Sequence, residues 1–173
     1  MNLLKVIKDD KFLISETDFI LREACRAILF DENNLIPVLN VTRDHYHKLP
    51  GGGVEEGENK MEALVRECLE EVGSEVEING EIGYVVEHRS AEKLGWEKDT
   101  KQISYCYYGK VLSKGKPDFS DRELDSGFEV MWVSLEDAIE ILENDVSKCL
   151  FGSMVLERDL VFLKEFKLNL NNF

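Results

Sequence analysis

The sequence predicts a single α/β domain over residues 1–173, in which a mixed β-sheet is sandwiched between helices. The first observation is that short β-prone segments alternate with segments whose apolar residues recur at the helical period, as in α/β proteins. The second is the length, because 173 residues suit one domain and suffice to bury a core. The third is an ordinary globular composition, with 43% apolar and 32% charged residues.

The first third of the chain is predicted to consist mainly of strands. Residues 1–20 form an N-terminal extension with one or two short strands. Residues 24–30 and 35–41 are β-prone and flank turn-forming residues, so we expect them to form a hairpin. Pro37 lies in the second of these strands and cannot donate a backbone hydrogen bond, which favours an edge strand or a bulge.

A helix is predicted from Asn59 to Val72. Asn59 can cap its first turn, Glu62 can complete a capping box, and Gly73 is well placed to end the helix. The remaining elements alternate, with strands at 75–89, 102–112 and 128–133, a helix at 135–143 capped by Ser134, and a C-terminal helix in the segment 153–173, from about Ser153 to Leu168. Polar loops are expected at 90–101 and 113–127.

Composition and charge exclude several classes of protein. The formal net charge of −14 would repel a long nucleic acid, and no stripe of Lys or Arg offers a footprint for one. No apolar run approaches the about 18–20 residues that a bilayer span needs, and the N-terminal residues do not resemble a signal peptide. The cysteines are scattered without a C-x-x-C pair, which favours reduced thiols. We therefore expect a cytoplasmic protein with neither a nucleic-acid polymer nor a membrane as partner.

The helix at 59–72 concentrates the acidic residues that could carry chemistry. Its apolar residues predict a stripe that faces the core; they are Met61, Leu64, Val65, Cys68, Leu69 and Val72. Glu67, Glu70 and Glu71 then share an arc of about 100° on the far side. A like-charge pair at this spacing costs about 0.2–0.5 kcal/mol, whereas a divalent cation such as Mg²⁺ would favour it. The alternative interpretation is a solvated acidic face.

The sequence around this helix matches a longer pattern. Gly52 is followed after five residues by Glu58, and after seven more by the segment Arg66-Glu67-Cys68-Leu69-Glu70-Glu71-Val72-Gly73. This resembles the signature of the Nudix family, G-x5-E-x7-R-E-U-x-E-E-x-G-U, in which U is a bulky apolar residue. All the fixed positions are met: Gly52, Glu58, Arg66, Glu67, Glu70, Glu71 and Gly73. Cys68 and Ser74 depart from the U positions, which affects packing rather than charge.

Two further segments extend the resemblance to about residues 20–145. Residues 49–53 are similar to the strand-to-loop segment of MutT-like members, and residues 132–138 are similar to a later strand-then-helix segment. The resemblance implies that Glu67, Glu70 and Glu71 hold Mg²⁺, for which Mn²⁺ could substitute. Arg66 would orient the acids, as its i,i+4 spacing from Glu70 allows, and the alternative role for it is to bind phosphate. Glu58 would support the loop or the metal site.

The resemblance also implies a reaction, the hydrolysis of a pyrophosphate bond in a nucleoside diphosphate linked to another group. Water attacks phosphorus, divalent cations neutralise the phosphate charge, and a carboxylate takes the proton of the water. Glu71 is the candidate base within the motif, and Glu129 and Glu123 are candidates outside it. Each of the three could equally be a surface acid.

The sequence gives less information about the group linked to the diphosphate. Gly52 and Gly53 would let the backbone approach the ions and the substrate, and Arg26 is one of several cations that could bind phosphate. Trp96 could stack on a nucleobase or simply pack in its loop. A nucleoside triphosphate, as in MutT, and a nucleotide sugar are both fair candidates. The alternatives are a catalytically weak binding or regulatory module and, less favoured, a prenyl diphosphate isomerase; a homodimer is also conceivable.

Overall fold

The computed structural model describes residues 1–8 and 19–170, which form strands and helices in a mixed order. The strands are β1 (Leu3–Lys8), β2 (Phe19–Phe30), β3 (Ile36–Val41), β4 (Tyr46–Lys48), β5 (Ser74–Arg89), β6 (Asp99–Lys114) and β7 (Phe128–Val133). The helices are α1 (Lys60–Val72), α2 (Ala91–Leu94), α3 (Asp121–Ser126), α4 (Leu135–Asn144) and α5 (Leu150–Leu168). No helix in these described ranges is long and apolar enough to span a bilayer.

The larger sheet has the strand order β1-β5-β6-β2 and is mixed, as predicted. β1 runs parallel to β5, β2 runs parallel to β6, and β5 and β6 are antiparallel. The 16-residue strands β5 and β6 provide its centre. The α/β class with a mixed sheet and flanking helices is therefore confirmed.

A smaller sheet of three strands has the order β4-β3-β7 and is antiparallel. The predicted hairpin between residues 24–30 and 35–41 is wrong, because β2 pairs with β6 while β3 pairs with β4 and β7. The turn at residues 31–34 redirects the chain from one sheet to the other. Pro37 lies in the middle strand of the smaller sheet, but β4 pairs only with Leu39–Val41. No ladder hydrogen bond between Pro37 and β4 is therefore lost, which helps the strand to tolerate the proline.

Alternation along β2 divides the core into two layers. Cys25, Ala27 and Leu29 pack against α1, together with Leu64 and Cys68 of that helix. The other face of the sheet packs against the smaller sheet, α4 and α5 in a larger cluster that includes Ile28. The Nudix-like helix α1 thus lies on one face of the large sheet and α5 on the other.

Most predicted boundaries agree with the structure to within a few residues. β7 spans the predicted residues 128–133, α4 follows Ser134, and α5 begins three residues before the predicted start. The two expected polar loops contain the short helices α2 and α3, which were not predicted. β1 confirms a strand in the N-terminal extension, whereas residues 9–18 of that extension lie outside the described residues.

Candidate active site

Helix α1 is fixed at both ends by its own sequence. The Asn59 side chain accepts hydrogen bonds from the backbone N–H groups of Met61 and Glu62, and Glu62 accepts one from the Asn59 N–H in return. Gly73 ends the helix in the left-handed conformation, with φ of 70°. This capping sets the rotation and length of the helix that carries the acidic residues.

The buried arc of α1 differs from the predicted apolar stripe. Leu64, Cys68 and Val72 are buried as expected, but Met61, Val65 and Leu69 are exposed at 36%, 43% and 53%. The helix packs on the face of β2 and β6, and the arc that this face covers is centred nearer to Leu64 than the stripe predicts. Glu71 falls inside that buried arc, because it follows Leu64 by seven residues, which is close to two helical turns.

Glu71 is therefore buried and not at the surface, with only 2% of the residue exposed. The Lys48 ammonium contacts its Oε1 at 2.5 Å, and the Gly51 backbone N–H donates to its Oε2 at 2.7 Å. Burial raises the pKa of the Glu71 carboxyl, and the charge of Lys48 opposes that shift. The side chain thus ties α1 to the glycine-rich loop that follows β4.

Arg66 organises the more accessible part of the site. Its guanidinium donates to both oxygens of Glu58, from Nε at 2.9 Å and from Nη2 at 3.1 Å. Nη1 donates to Glu67 at 2.9 Å and to Glu70 at 3.2 Å, while Nη2 also donates to the carbonyl of Gly53 at 3.1 Å. The hydrogen bond from Arg66 lowers the pKa of Glu58 and raises that of Arg66 itself. These contacts agree with an orienting role for Arg66.

The glycine-rich loop approaches these acids too closely for larger residues. A Cβ at Gly52 would collide with the carboxylate of Glu67. At Gly51, φ of 125° is a conformation that other residues rarely adopt, and a Cβ there would meet the backbone of Cys25. The carbonyl of Gly52 accepts hydrogen bonds from the Cys25 N–H at 2.9 Å and from Arg26 Nη1 at 3.3 Å. The loop therefore forms a backbone wall directly beside Glu67.

The donor set at this wall suits a hard divalent cation. It consists of carboxylate oxygens with a backbone carbonyl nearby, the ligand types that Mg²⁺ prefers. The described residues nevertheless contain no cluster of three or more acidic, His or Cys side chains arranged to hold a metal ion. The reason lies in the contacts above, since Arg66 engages Glu67 and Glu70 while Lys48 turns Glu71 inward.

Arg26 connects this site to the space between the two sheets. It lies on β2, on the opposite face from Cys25, with 7% of the residue exposed. Its guanidinium interacts electrostatically with Arg158 and Asp159 as well as with Glu71 and Glu67. Burial lowers the pKa of Arg26. The sequence-predicted substrate residue thus faces a second group of charges rather than open solvent.

That second group is a buried charged network formed by β5, β6 and α5, with Glu87, Arg89, Gln102, Ser104, Arg158 and Asp159 all at most 2% exposed. Glu87 binds Arg89 at 2.6 Å and lies 3.5 Å from Arg158, which also binds Asp159 at 2.7 Å. Asp159 in turn accepts the Leu49 backbone N–H at 2.9 Å. Four guanidinium nitrogens in the described chain lack a hydrogen-bond partner: Arg26 Nε, Arg89 Nε, Arg158 Nη1 and Arg158 Nη2.

Trp96 lies at the outer end of this network and not beside the α1 acids. Its ring centroid is 6.3 Å from that of Phe151 in the first turn of α5, and the Arg89 guanidinium lies 4.9 Å from the Phe151 centroid. Trp96 itself is 38% exposed. Phe151 therefore contacts both the half-exposed Trp96 ring and the Arg89 guanidinium of the buried charged network.

The two candidate bases outside the motif are placed differently. Glu129 is exposed on β7, opposite Asn40 of β3, and its neighbour Phe128 faces the Lys48 ammonium at 5.1 Å. Alternation along the strand therefore directs Glu129 away from Lys48 and the α1 acids. Glu123 completes the capping box of α3 by accepting from the Ser120 N–H and hydroxyl. Of the candidate bases, only Glu71 is among the motif acids.

Most of the buried charged network is not predictable from the sequence. Neither Glu87 nor Arg158 lies in a motif that identifies it from the sequence alone. A signal existed on α5, because Arg158 and Asp159 occupy the buried face that otherwise holds residues such as Val155 and Phe162. A charged pair inside an apolar stripe indicates a buried ion pair or a binding site.

Comparisons with known proteins give a family and a fold. The family model for the NUDIX domain matches residues 21–150. The MutT protein from Methanosarcina mazei Go1 is 21% identical, with a TM-score of 0.58, and the match covers 87% of this chain and 96% of that one. The E. coli ORF135 protein is 17% identical, with a TM-score of 0.55 and coverage of 89% and 94%.

A third similar structure is a MutT NUDIX hydrolase from Burkholderia pseudomallei. It is 20% identical, with a TM-score of 0.51, and the match covers 80% of this chain and 97% of that one. Among curated proteins, none matches the chain. Because the three structures are at most 21% identical to this chain, they support only the fold. The family assignment rests on the match to the family model.

Proposed function

The chain belongs to the Nudix family of pyrophosphohydrolases, and on that premise we propose that it uses Mg²⁺ to hydrolyse a pyrophosphate bond in a nucleoside diphosphate linked to another group. The observation that carries the proposal is the arrangement at Gly52. Glu67 lies against its backbone, and Arg66 links Glu67 and Glu70 to Glu58. Mn²⁺ could replace Mg²⁺ at such an oxygen-rich site.

In this proposal Glu67, Glu70 and Glu71 hold the divalent ion. When bound, the ion supplies neutralisation of the phosphate charge and a lowered pKa for the attacking water. Arg66 orients two of the acids through one hydrogen bond each, to Glu67 and Glu70, and two further hydrogen bonds to Glu58 hold the guanidinium in place before the substrate arrives. The backbone of Gly52 and Gly53 leaves room for phosphate oxygens beside these side chains.

The proton acceptor is best sought among the motif acids. Glu129 is exposed and directed away from them, and Glu123 is engaged in capping α3. Glu71 accepts hydrogen bonds at both oxygens, from Lys48 and from the Gly51 N–H, so neither oxygen faces an attacking water, which favours a role in holding the ion. We therefore assign the proton to Glu67, whose carboxylate lies at the wall formed by Gly52.

The group linked to the diphosphate is proposed to extend towards Arg26 and the buried charged network. Arg26 and the network together have three guanidinium groups and two carboxylates, and several of the guanidinium nitrogens lack partners, so this region favours a group rich in hydrogen-bond acceptors. A nucleobase or a sugar satisfies this condition. A nucleoside triphosphate and a nucleotide sugar thus remain the proposed substrate classes, acted on by a single-domain cytoplasmic protein, as a monomer or a homodimer.

The proposal is tested by orthophosphate release from a panel of nucleoside triphosphates and nucleotide sugars with Mg²⁺. Inorganic pyrophosphatase is added for triphosphates and alkaline phosphatase for nucleotide sugars, so that each product yields orthophosphate. We expect release from at least one class, which Glu70→Gln nearly abolishes under the same coupling conditions. The proposal is wrong if the folded wild type releases no phosphate from any compound with either Mg²⁺ or Mn²⁺.

A further inference from the structure

Lys48 is the least expected component of the acidic centre. It precedes the Leu49-Pro50-Gly51 turn, and its side chain is 9% exposed although it carries an ammonium group. A buried lysine must find compensating contacts, because removing an ammonium from water is costly. Those contacts are Glu71 Oε1 at 2.5 Å, the Gly51 carbonyl at 3.3 Å, and the ring of Phe128 at 5.1 Å from its centroid.

The position of this ammonium resembles that of a bound cation. It lies between a carboxylate oxygen of α1 and a backbone carbonyl of the glycine-rich loop, the two kinds of oxygen that a divalent ion would also take. The other oxygen of Glu71 is held by the Gly51 N–H at 2.7 Å. Glu71 therefore cannot offer a metal both oxygens unless these contacts change.

We propose that Lys48 is a positioning residue that acts as an internal counter-ion of Glu71, so that a divalent ion must displace its ammonium from Oε1 to recruit Glu71. The inference rests on the proposed function, since it takes Glu71 as a metal-holding residue. Without metal, Lys48 neutralises Glu71 in the core and holds α1 against the loop. When a divalent ion binds, the Gly51 carbonyl and the Phe128 ring remain as contacts for the displaced ammonium.

The arrangement has a measurable consequence for metal affinity. Two cations held at one carboxylate oxygen repel each other, so the free energy of the Lys48–Glu71 contact opposes metal binding there. Removing the ammonium should therefore destabilise the metal-free protein and at the same time tighten its binding of Mg²⁺. A purely structural lysine would show only the first effect.

The test compares thermal unfolding of the wild type and Lys48→Met, in EDTA and across a series of Mg²⁺ concentrations without substrate. In EDTA we expect the Tm of Lys48→Met to fall by roughly 10 °C, because a buried charge loses its partner. We expect its Mg²⁺-induced rise in Tm to exceed that of the wild type, with a Kd for Mg²⁺ about tenfold lower.

The matched control is Lys114→Met. Lys114 likewise contacts a buried carboxylate, Asp31 at 2.6 Å, and lies over an aromatic ring, Trp132 at 3.5 Å from its centroid. This pair involves none of the α1 acids. We expect Lys114→Met to lose stability in EDTA while its Mg²⁺ response equals that of the wild type, which separates displacement at Glu71 from a general effect of removing positive charge.

A second variant covers the case in which Lys48→Met does not fold. Lys48→Arg keeps the charge and can hold both carboxylate oxygens, so its Mg²⁺-induced shift should be smaller than that of the wild type. An equal Mg²⁺ response in the wild type and in the Lys48 variant would overturn this inference alone. A wild type without any response to Mg²⁺ would overturn it together with the proposed metal site, and phosphate release would then show separately whether the proposed function stands.

Discussion

The acidic centre on α1 and the buried charged network around α5 show two ways in which a protein arranges charge. The α1 acids lie within five residues of one helix, and Glu70 among them has a side chain that is 46% exposed. The network joins β5, β6 and α5, and its Glu87 and Arg158 are fully buried. Exposed acids contribute little to folding and can be used for ligands, whereas charges that are removed from water must be paired for the fold to exist.

Glu71 lies on α1 with the acidic centre, but it is buried and paired like the charges of the network. This changes the effect on stability that we expect from replacing it. From the sequence alone, the three glutamates form a cluster whose repulsion is relieved by replacing any of them. The structure instead pairs Glu71 with Lys48 in the core. Replacing Glu71 should therefore lower the stability of the metal-free protein, while replacing Glu70 should leave it nearly unchanged.

The largest effect is expected for activity after substitution in the acidic centre. Glu70→Gln should lower kcat by roughly 10³-fold, the scale of several kcal/mol of charge stabilisation that a metal ion supplies. Its Tm should stay close to that of the wild type, because the side chain is half exposed and contacts only the Arg66 guanidinium at 3.2 Å among the contacts described. Steady-state hydrolysis and thermal unfolding measure the two quantities.

The control for this variant is Glu140→Gln, which changes an exposed glutamate on α4. It should keep wild-type kcat. Near wild-type turnover of Glu70→Gln at saturating Mg²⁺ would remove Glu70 from the metal site.

The reverse pattern is expected in the buried charged network. Arg158→Met removes the cation that contacts Glu87 and Asp159, and breaking a buried pair in this way should cost about 3–5 kcal/mol of the free energy of unfolding. Lys164→Met is the matched control, because its pair with Glu143 is about half exposed and should contribute about 0–1 kcal/mol. Urea denaturation measures both. Equal losses in the two variants would mean that the network does not stabilise the fold.

Substrate affinity should show a smaller effect at the outer end of the network. If Trp96 stacks on a base, Trp96→Ala should raise KM roughly fivefold or more, since one such stack contributes about 1–3 kcal/mol. Trp96→Phe should restore much of that affinity, and kcat should change little in either variant. A KM that is unchanged in Trp96→Ala would leave Trp96 as a packing partner of Phe151 only.

The smallest effect concerns acid stability. Burial would raise the pKa of Glu87, but the charges of Arg158 and Arg89 outweigh it, so the pKa lies below the ordinary 4.5. A lowered carboxyl pKa contributes stability above the unfolded value, and that stability is lost as the pH falls through the folded value. Glu87→Gln should therefore be less stable than the wild type at neutral pH and should lose less stability below pH 4.5. Parallel Tm curves between pH 7 and about pH 3 would contradict this assignment.

The features of the fold that depend on neighbouring residues in the chain, such as the ends of a helix, were predictable from the sequence. The capping box at Asn59 and the stop at Gly73 fixed α1, and the spacing within α1 identified its acids. Turn residues between β2 and β3 could not show that the two strands enter different sheets, because pairing depends on distant partners. The helical period likewise predicts on which side of α1 Glu71 lies, but it does not predict that the sheet covers that side and buries Glu71.

Local sequence patterns could not predict the buried charged network either, because its members come from distant parts of the chain. Glu87 and Arg158 are 71 residues apart in the sequence and meet only because β5 packs against α5. Sequence distance conceals such a pair, whereas the acids of α1 are visible within one motif. Functional acids in a single helix are therefore easier to recognise than the charges that complete the site.

The most direct test of the account is whether the α1 acids hold the divalent ion. Mn²⁺ is titrated into the wild type and into the double variant Glu67→Gln with Glu71→Gln, with a non-hydrolysable nucleoside diphosphate analogue present, and bound Mn²⁺ is counted by electron paramagnetic resonance. We expect saturable binding by the wild type and an affinity at least about tenfold weaker in the double variant, the range by which lost metal-site interactions weaken binding. Equal affinities in two folded proteins would place the metal elsewhere and contradict the account.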